Sequence, residues 1–466
     1  MTFELGDWQV AEIERYKEPY RAILWSPRLR KTATTIKIAE KLYIEGLIDS
    51  VVVVAPNGVY LNWSENELPK HAKTDYEIYK WVQSDKNKIT DFYEKIKTPE
   101  KLQYYLYPSH AMINSNIKEM FKTLNTSGRR YLLVVDESHD FRNASSIKTK
   151  NIIIFARGAA YKRILTGTPI SKSPINAFSQ FQILKEGCLG FKNITAFSAE
   201  YVIKEYRENK SKTKSFPVIT GYRNIDLFQK SIAPFSSVII RKVTNIDTET
   251  VKFSLTEDEK RVYKEVLKTF SFNAQGENYN LNLNATKRIK LQQAGSGFVI
   301  DKNGVIAHIN KGSPSRLEAF KKVFLAEADK RVIVWAHFKE DFKIITKWLK
   351  SIGITPITFN GDSTDAEREK CRQIFNAVST EENGVILAHR VSAGAGIDMS
   401  RADVMIEYSY TENIFASEQA LARASSLDRD TVKVYRLTCG GVDDAILNNL
   451  SGQAEREIET LRDLAL

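Results

Sequence analysis

The sequence predicts an α/β protein built from two doubly wound parallel-sheet domains with helical and hairpin insertions. Short runs of apolar and β-branched residues alternate with polar or amphipathic stretches of helical pattern, as parallel sheets require. The runs fall into two sets, separated by a stretch of different character between residues 180 and 325. At 466 residues, 42% of them hydrophobic, the chain is long enough to bury two cores. The first domain is expected over residues 1–240 with an insertion over 180–230, the second over 241–466 with an insertion over 255–315.

Strands are expected first at Tyr20 to Trp25, Ser50 to Ala55, Tyr104 to Tyr107, Tyr131 to Asp136 and Arg163 to Thr168. The second set is Arg331 to Ala336, Pro356 to Asn360, Gly384 to His389, Val404 to Ser409 and Val432 to Leu437. Ligands of open parallel sheets bind beyond the carboxyl ends of the strands, and polar side chains gather there. The first run leads into Ser26, Pro27, Arg28, Leu29, Arg30, Lys31 and Thr32, and the second into Pro56 and Asn57, with Asn62 and Trp63 close behind. The third ends at Pro108, Ser109 and His110, the fourth at Asp136, Glu137, Ser138 and His139, and the fifth at Thr166, Gly167, Thr168 and Pro169. In the insertions, Asn303 and Gly304 are placed to turn a hairpin between residues 297 and 309. The basic run Lys210 to Lys214 is a solvated loop or a duplex contact.

A formal net charge of +11 suits a polyanionic partner, most simply nucleic acid, or serves solubility alone. Cys188, Cys371 and Cys439 are too far apart for a disulfide framework or zinc ribbon, and no structural metal is expected. The amino terminus lacks a basic region followed by an apolar segment, and the longest apolar runs are strand-length. A cytoplasmic protein with no membrane segment, or a nuclear one if its host has a nucleus, is the expectation.

A lysine-threonine pair after one strand and an acidic pair after another can hold a nucleoside triphosphate and its metal. Lys31 would reach the β- and γ-phosphates, Thr32 and Asp136 would hold magnesium, and Glu137 would orient or deprotonate the attacking water. Alone, a strand-end acid is more often a helix cap or a solvated turn. The order of the surrounding segments favours the catalytic reading.

That order resembles superfamily 2 helicases, and within them the Swi/Snf-related branch of double-stranded DNA translocases, whose two domains are RecA-like. Val54 to Asn57, Asp136 to His139 and Leu165 to Pro169 resemble that branch's motifs Ia, II and III. Phe359 to Thr364 with Arg368 and Phe375-Asn376, Ser392 to Asp398, Gln419 to Arg423, and Val434 to Leu437 are similar to its later segments, so the likeness runs from Gln9 to near residue 450. The resemblance implies ATP and Mg2+ as cofactors. It places Gln9 at the adenine, with Trp8, Tyr16 and Tyr20 nearby as ring faces, and Arg28, Leu29, Arg30, Gly396 and Asp398 also at the nucleotide. Arg423 would reach the γ-phosphate from the second domain. Pro56, Asn57, Asn62, Ser109, His110, Thr166, His337, Gly361 and Ser392 would contact the nucleic-acid backbone, and His139, Thr168 and Gln419 would couple nucleotide state to that grip.

Two departures stand out. The glycine positions of the phosphate loop are Trp25 and Arg30, and a positive φ at Arg30 would be strained. The second arginine of the last helicase motif is Ser426; Arg429, about one helical turn on, substitutes for it or is a surface residue. The implied activity is an ATP-dependent DNA helicase or translocase on duplex, forked or branched DNA, with branch migration in replication or recombination. The chain's compactness resembles bacteriophage and prophage members, acting in a bacterial host's cytoplasm as a monomer, with replication or recombination proteins as partners. The alternatives are a nucleic-acid-binding scaffold whose degenerate phosphate loop has lost turnover, and an RNA helicase.

Overall fold

Runs that are apolar at every position are suited to strands covered on both faces. Val51, Val52, Val53 and Val54 have no exposed surface, and full burial of such side chains contributes about 1.5–3 kcal/mol each. In chain order the first strands are β1 (Tyr20–Trp25), β2 (Ser50–Ala55), β3 (Tyr76–Lys80), β4 (Leu102–Pro108), β5 (Tyr131–Asp136), β6 (Tyr161–Leu165), β7 (Val202–Glu208), β8 (Ser215–Tyr222) and β9 (Ser236–Ile239). Seven form one sheet, ordered β3-β4-β2-β5-β6-β1-β9, with every pairing parallel. β7 and β8 form a separate antiparallel ribbon.

The second set is β10 (Asn245–Lys252), β11 (Ser271–Ala274), β12 (Glu277–Asn280), β13 (Phe298–Ile300), β14 (Ile306–His308), β15 (Val332–Trp335), β16 (Ile357–Phe359), β17 (Val385–Ala388), β18 (Val404–Glu407) and β19 (Thr431–Thr438). Six form a second all-parallel sheet, β10-β19-β18-β15-β17-β16. One of its faces packs Val332, Val334 and Ile406 against Phe320, Phe324 and Ile345; the other buries Ile333, Trp335 and Met405. The fold is therefore α/β with two parallel-sheet domains. The computed structural model describes residues 5–57, 59–81, 100–167, 173–208, 215–240, 245–269, 271–274, 277–280, 287–361, 363, 384–390, 399, 401–413, 416–417, 420–421 and 431–462. The chain divides into two compact units, Met1–Lys242 with Ala454–Leu466, and Val243–Gln453.

All ten expected sheet strands are present, and β3, β9 and β10 join them unannounced. Each of the three is an edge strand. β3 is only half-buried, β9 has four residues, and β10 is mostly exposed with a polar sequence, so none carries the apolar run that marks a central strand. The expected hairpin is β13–β14, antiparallel, with Gly304 at φ +83°. Asp301 Oδ1 accepts from the backbone N–H of Asn303 and Val305, each at 2.8 Å, which closes its turn. Val299, Ala307 and Ile309 share a core with Val262, Val266, Leu291 and Ala294. Among the described residues no helix is long and apolar enough to cross a membrane.

One buried ion pair ties the second unit together. Arg316 and Asp443 are both 0% exposed and meet at 2.6 Å. The same guanidinium donates to the carbonyls of Tyr408 at 2.6 Å, Leu437 at 3.2 Å and Gly295 at 3.2 Å. It thereby satisfies backbone acceptors beyond β18 and in β19.

Candidate nucleotide site

The loop between β1 and helix α2 (Lys31–Ile44) begins where Ser26 N donates to Ile239 O at 2.9 Å, fastening it to β9. Arg28 (φ 68°) and Arg30 (φ 60°, ψ 40°) both take the left-handed conformation. The loop keeps a backbone that glycine would adopt freely, with arginines in place, at a cost of roughly 1–2 kcal/mol for each. Arg30→Gly is thus expected to stabilise the nucleotide-free chain by about 0.5–1 kcal/mol, the strain relieved less the entropy glycine loses on folding. Urea denaturation measures it, and a less stable variant would show that the arginine's contacts outweigh the strain. Trp25, in the first glycine position, is fully buried and donates to Ser237 Oγ at 2.8 Å, so it ends β1 rather than lining the loop.

α2 buries Ala33, Ile36, Ala39 and Leu42 at helical spacing. It is closed by Gly46 at φ 67°, with Gly46 N on Tyr43 O at 2.8 Å and Leu47 N on Leu42 O at 2.9 Å. Its first side chain, Lys31, donates to the loop carbonyls of Trp25 at 2.9 Å and Ser26 at 3.4 Å. A helix amino terminus, alternating left-handed loop residues and cationic side chains suit a polyphosphate.

At the end of β5 the Asp136 carboxylate is buried, accepting from Trp63 Nε1 at 2.9 Å on Oδ2 and from Glu137 N at 2.9 Å on Oδ1. Burial pushes this carboxyl up to about 6, with the charge of Glu137 adding, against the opposing pull of the Trp63 indole and of Lys31. Such a group is stabilised by a dication, and with the Thr32 hydroxyl it offers the hard oxygen donors that magnesium takes. Glu137 leaves the strand in the left-handed region, φ 50°. Its Oε2 lies 3.2 Å from His139 Nδ1, which is also 3.2 Å from Thr166 Oγ1. Gly167 passes the phosphate loop so closely that a Cβ would sit 3.0 Å from Pro27 Cδ, which explains a glycine there.

The other expected site residues divide. Gln9, on helix α1 (Asp7–Glu14), is not a surface glutamine: it is 1% exposed, donates to Thr34 Oγ1 at 3.0 Å and accepts from Gly6 N at 3.0 Å. Leu29 buries its side chain, so only its backbone is available to a phosphate. Asn57 and His110 are exposed, and Pro56 and Asn62 partly so. Two expected nucleic-acid contacts have their hydroxyls turned inward. Thr166 is 0% exposed against His139, and Ser109 is buried with its hydroxyl donating to Asp140.

In the second unit Gly361 is exposed, and His337 stacks on His389 with ring centroids 5.3 Å apart. Burial, with His389 and Arg390 adding, lowers His337 to about 4, so the ring is neutral at neutral pH. Sequence reasoning missed the Trp63 bond to Asp136 and the buried Arg390, which binds Glu407 together with Arg436. Long sequence separations hide such pairs, and no local pattern signals them. Thr168, Ser392, Gly396, Asp398, Gln419, Arg423, Ser426 and Arg429 lie outside the described residues.

A family model described as the SNF2-related domain matches residues 26–296, and one described as the helicase conserved C-terminal domain matches 315–427. The chromatin remodeling factor mit1 of Schizosaccharomyces pombe is 24% identical over 461 residues, covering 90% of this chain and 30% of its own length. The uncharacterized ATP-dependent helicase MG018 of Mycoplasma genitalium is 26% identical over 438 residues, covering 88% of this chain and 37% of its own length. The chain thus spans well under half the length of these relatives. The solved Sulfolobus solfataricus SWI2/SNF2 ATPase core in complex with dsDNA aligns with 100% of this chain and 94% of its own, at 16% identity and a TM-score of 0.40. With the SNF2-related match alone spanning more than half of the sequence, the chain belongs to the Swi/Snf-related branch of the superfamily 2 helicases.

Proposed function

We propose that this chain hydrolyses ATP with magnesium and uses the energy to translocate along, or unwind, duplex, forked or branched DNA. The observation that carries the reading is the phosphate loop. Its left-handed turns at Arg28 and Arg30 persist without glycine, directly before Lys31 and in the same sheet as the buried Asp136. A chain released from nucleotide binding has no reason to retain strained turns there. In this reading Lys31 leaves the loop carbonyls for the β- and γ-phosphates, the loop amides cradle them, and Glu137 orients the water. Magnesium, held by Thr32 and Asp136, would neutralise charge on the phosphate oxygens. A net charge of +11 favours the DNA backbone as partner and implies salt-sensitive binding.

The test compares ATP hydrolysis by the wild type and Lys31→Ala, without nucleic acid and with single-stranded, duplex, forked and four-way DNA and duplex RNA. Hydrolysis is expected to rise with duplex or branched DNA and to fall by about 10²–10³-fold in Lys31→Ala. Stronger stimulation by forked and four-way DNA would support branch migration. Stimulation by RNA alone would move the assignment to an RNA helicase. Turnover no higher than the variant's would favour the binding scaffold, the reading that Arg30 and Ser426 suggest.

A further inference from the structure

Trp63 has no place in the chemistry above, yet it holds one of its central groups. The indole is 1% exposed and its Nε1 reaches Asp136 Oδ2 at 2.9 Å, across 73 residues of sequence. Because β2 and β5 are parallel neighbours up to Val54 and Val135, the segment leaving β2 starts beside the end of β5. That segment runs as a short helix, Val59–Asn62, a π-helical turn, Trp63–Glu67, and a second short helix, Leu68–His71. A π turn is rare and is found mostly at functional positions. Here it opens with the residue whose side chain turns inward. On the outer side, Asn66 Nδ2 donates to Asn62 Oδ1 at 2.9 Å, and Asn62 Nδ2 to Glu67 Oε1 at 3.3 Å.

We infer that Trp63 is a positioning residue for Asp136, and that it ties the conformation of the segment after β2 to the metal-holding carboxylate. The inference rests on the nucleotide-site reading given above. An indole has one donor and no acceptor, so it fixes the rotation of the carboxylate in one sense and leaves each oxygen a lone pair for a cation. On the same segment Asn57 is exposed and Asn62 partly so. A ligand bound to Asn62 acts on Trp63 through the adjoining peptide, and one bound to Asn57 through the short helix between them. DNA held there changes metal affinity at Asp136, and by linkage the metal-nucleotide complex changes DNA affinity by the same factor.

The test is Mn2+ binding in the presence of ADP, followed by electron paramagnetic resonance, on full-length wild type, Trp63→Phe and the core variant Val53→Ala. Val53 is a fully buried residue of β2, so its truncation controls for lost packing. Trp63→Phe is expected to bind Mn2+ about 10–100-fold more weakly, and Val53→Ala as the wild type does. Duplex DNA should alter Mn2+ affinity in the wild type and leave Trp63→Phe unmoved. Unchanged affinity in folded Trp63→Phe overturns the inference and spares the nucleotide-site reading; absence of Mn2+ binding by the wild type overturns both. Should Trp63→Phe not fold, the wild type with 15N-labelled indoles serves instead. An exchange-protected indole N–H resonance must then shift with Mg2+ and ADP and again with duplex DNA, and the absence of either shift counts against the inference.

Discussion

Glu137→Gln is expected to lower DNA-stimulated ATP hydrolysis by about 10²–10⁴-fold, the usual contribution of a positioned base. The neighbouring Asp136 is buried with both oxygens engaged, while Glu137 departs from the strand at φ 50° with its carboxylate beside His139. Of the two, Glu137 is the one proposed to take a proton from water. Glutamine keeps the length and an oxygen for the imidazole but loses the base. Nucleotide affinity should survive, because Lys31, Thr32 and Asp136 are untouched. Metal affinity should fall modestly, since the dication loses a neighbouring negative charge while Asp136, pushed up to about 6, is already mostly ionised at neutral pH. Single-turnover hydrolysis together with Mn2+ titration reads both effects. A loss of less than tenfold would assign water activation to another group.

The second large effect concerns stability. Arg316→Leu is expected to cost the second unit about 3–5 kcal/mol, because it leaves the buried Asp443 carboxylate without its partner. For a unit of this size that corresponds to a fall in Tm of about 6–20 °C. Differential scanning calorimetry on the full chain would resolve it, and a loss under 1 kcal/mol would refute the assignment. Adding Asp443→Leu should recover only part of the loss. The carbonyls of Gly295, Tyr408 and Leu437 also rely on the guanidinium, and the second substitution does nothing for them.

The central strands were legible because burial on both faces demands unbroken apolar runs, as Val51 to Val54 show. Edge strands escape that demand, so the polar β10 and the four-residue β9 left no pattern to read. The same contrast holds in the site. Lys31, Thr32, Asp136 and Glu137 announce themselves by position after strands. Burial of Thr166 and Ser109 depends on what packs over them, and the Trp63 indole finds Asp136 only because β2 and β5 are neighbours. The left-handed turns were legible conditionally: a glycine position filled by Arg30 declares strain only if the backbone stays as it was, and it did.

The position of β1 between β6 and β9 sets an order of assembly on the ribosome. Residues 26–30 are synthesised about 210 residues before their anchor, the carbonyl of Ile239, which belongs to the last strand of that sheet in chain order. At translation speeds of 5–20 residues per second the wait is roughly 10–40 s. Throughout it the loop and the β9-facing edge of β1 lack their final neighbours. The nucleotide loop is thus finished only long after it is made, and until Ile239 has left the ribosome that open edge must be kept from pairing with another strand.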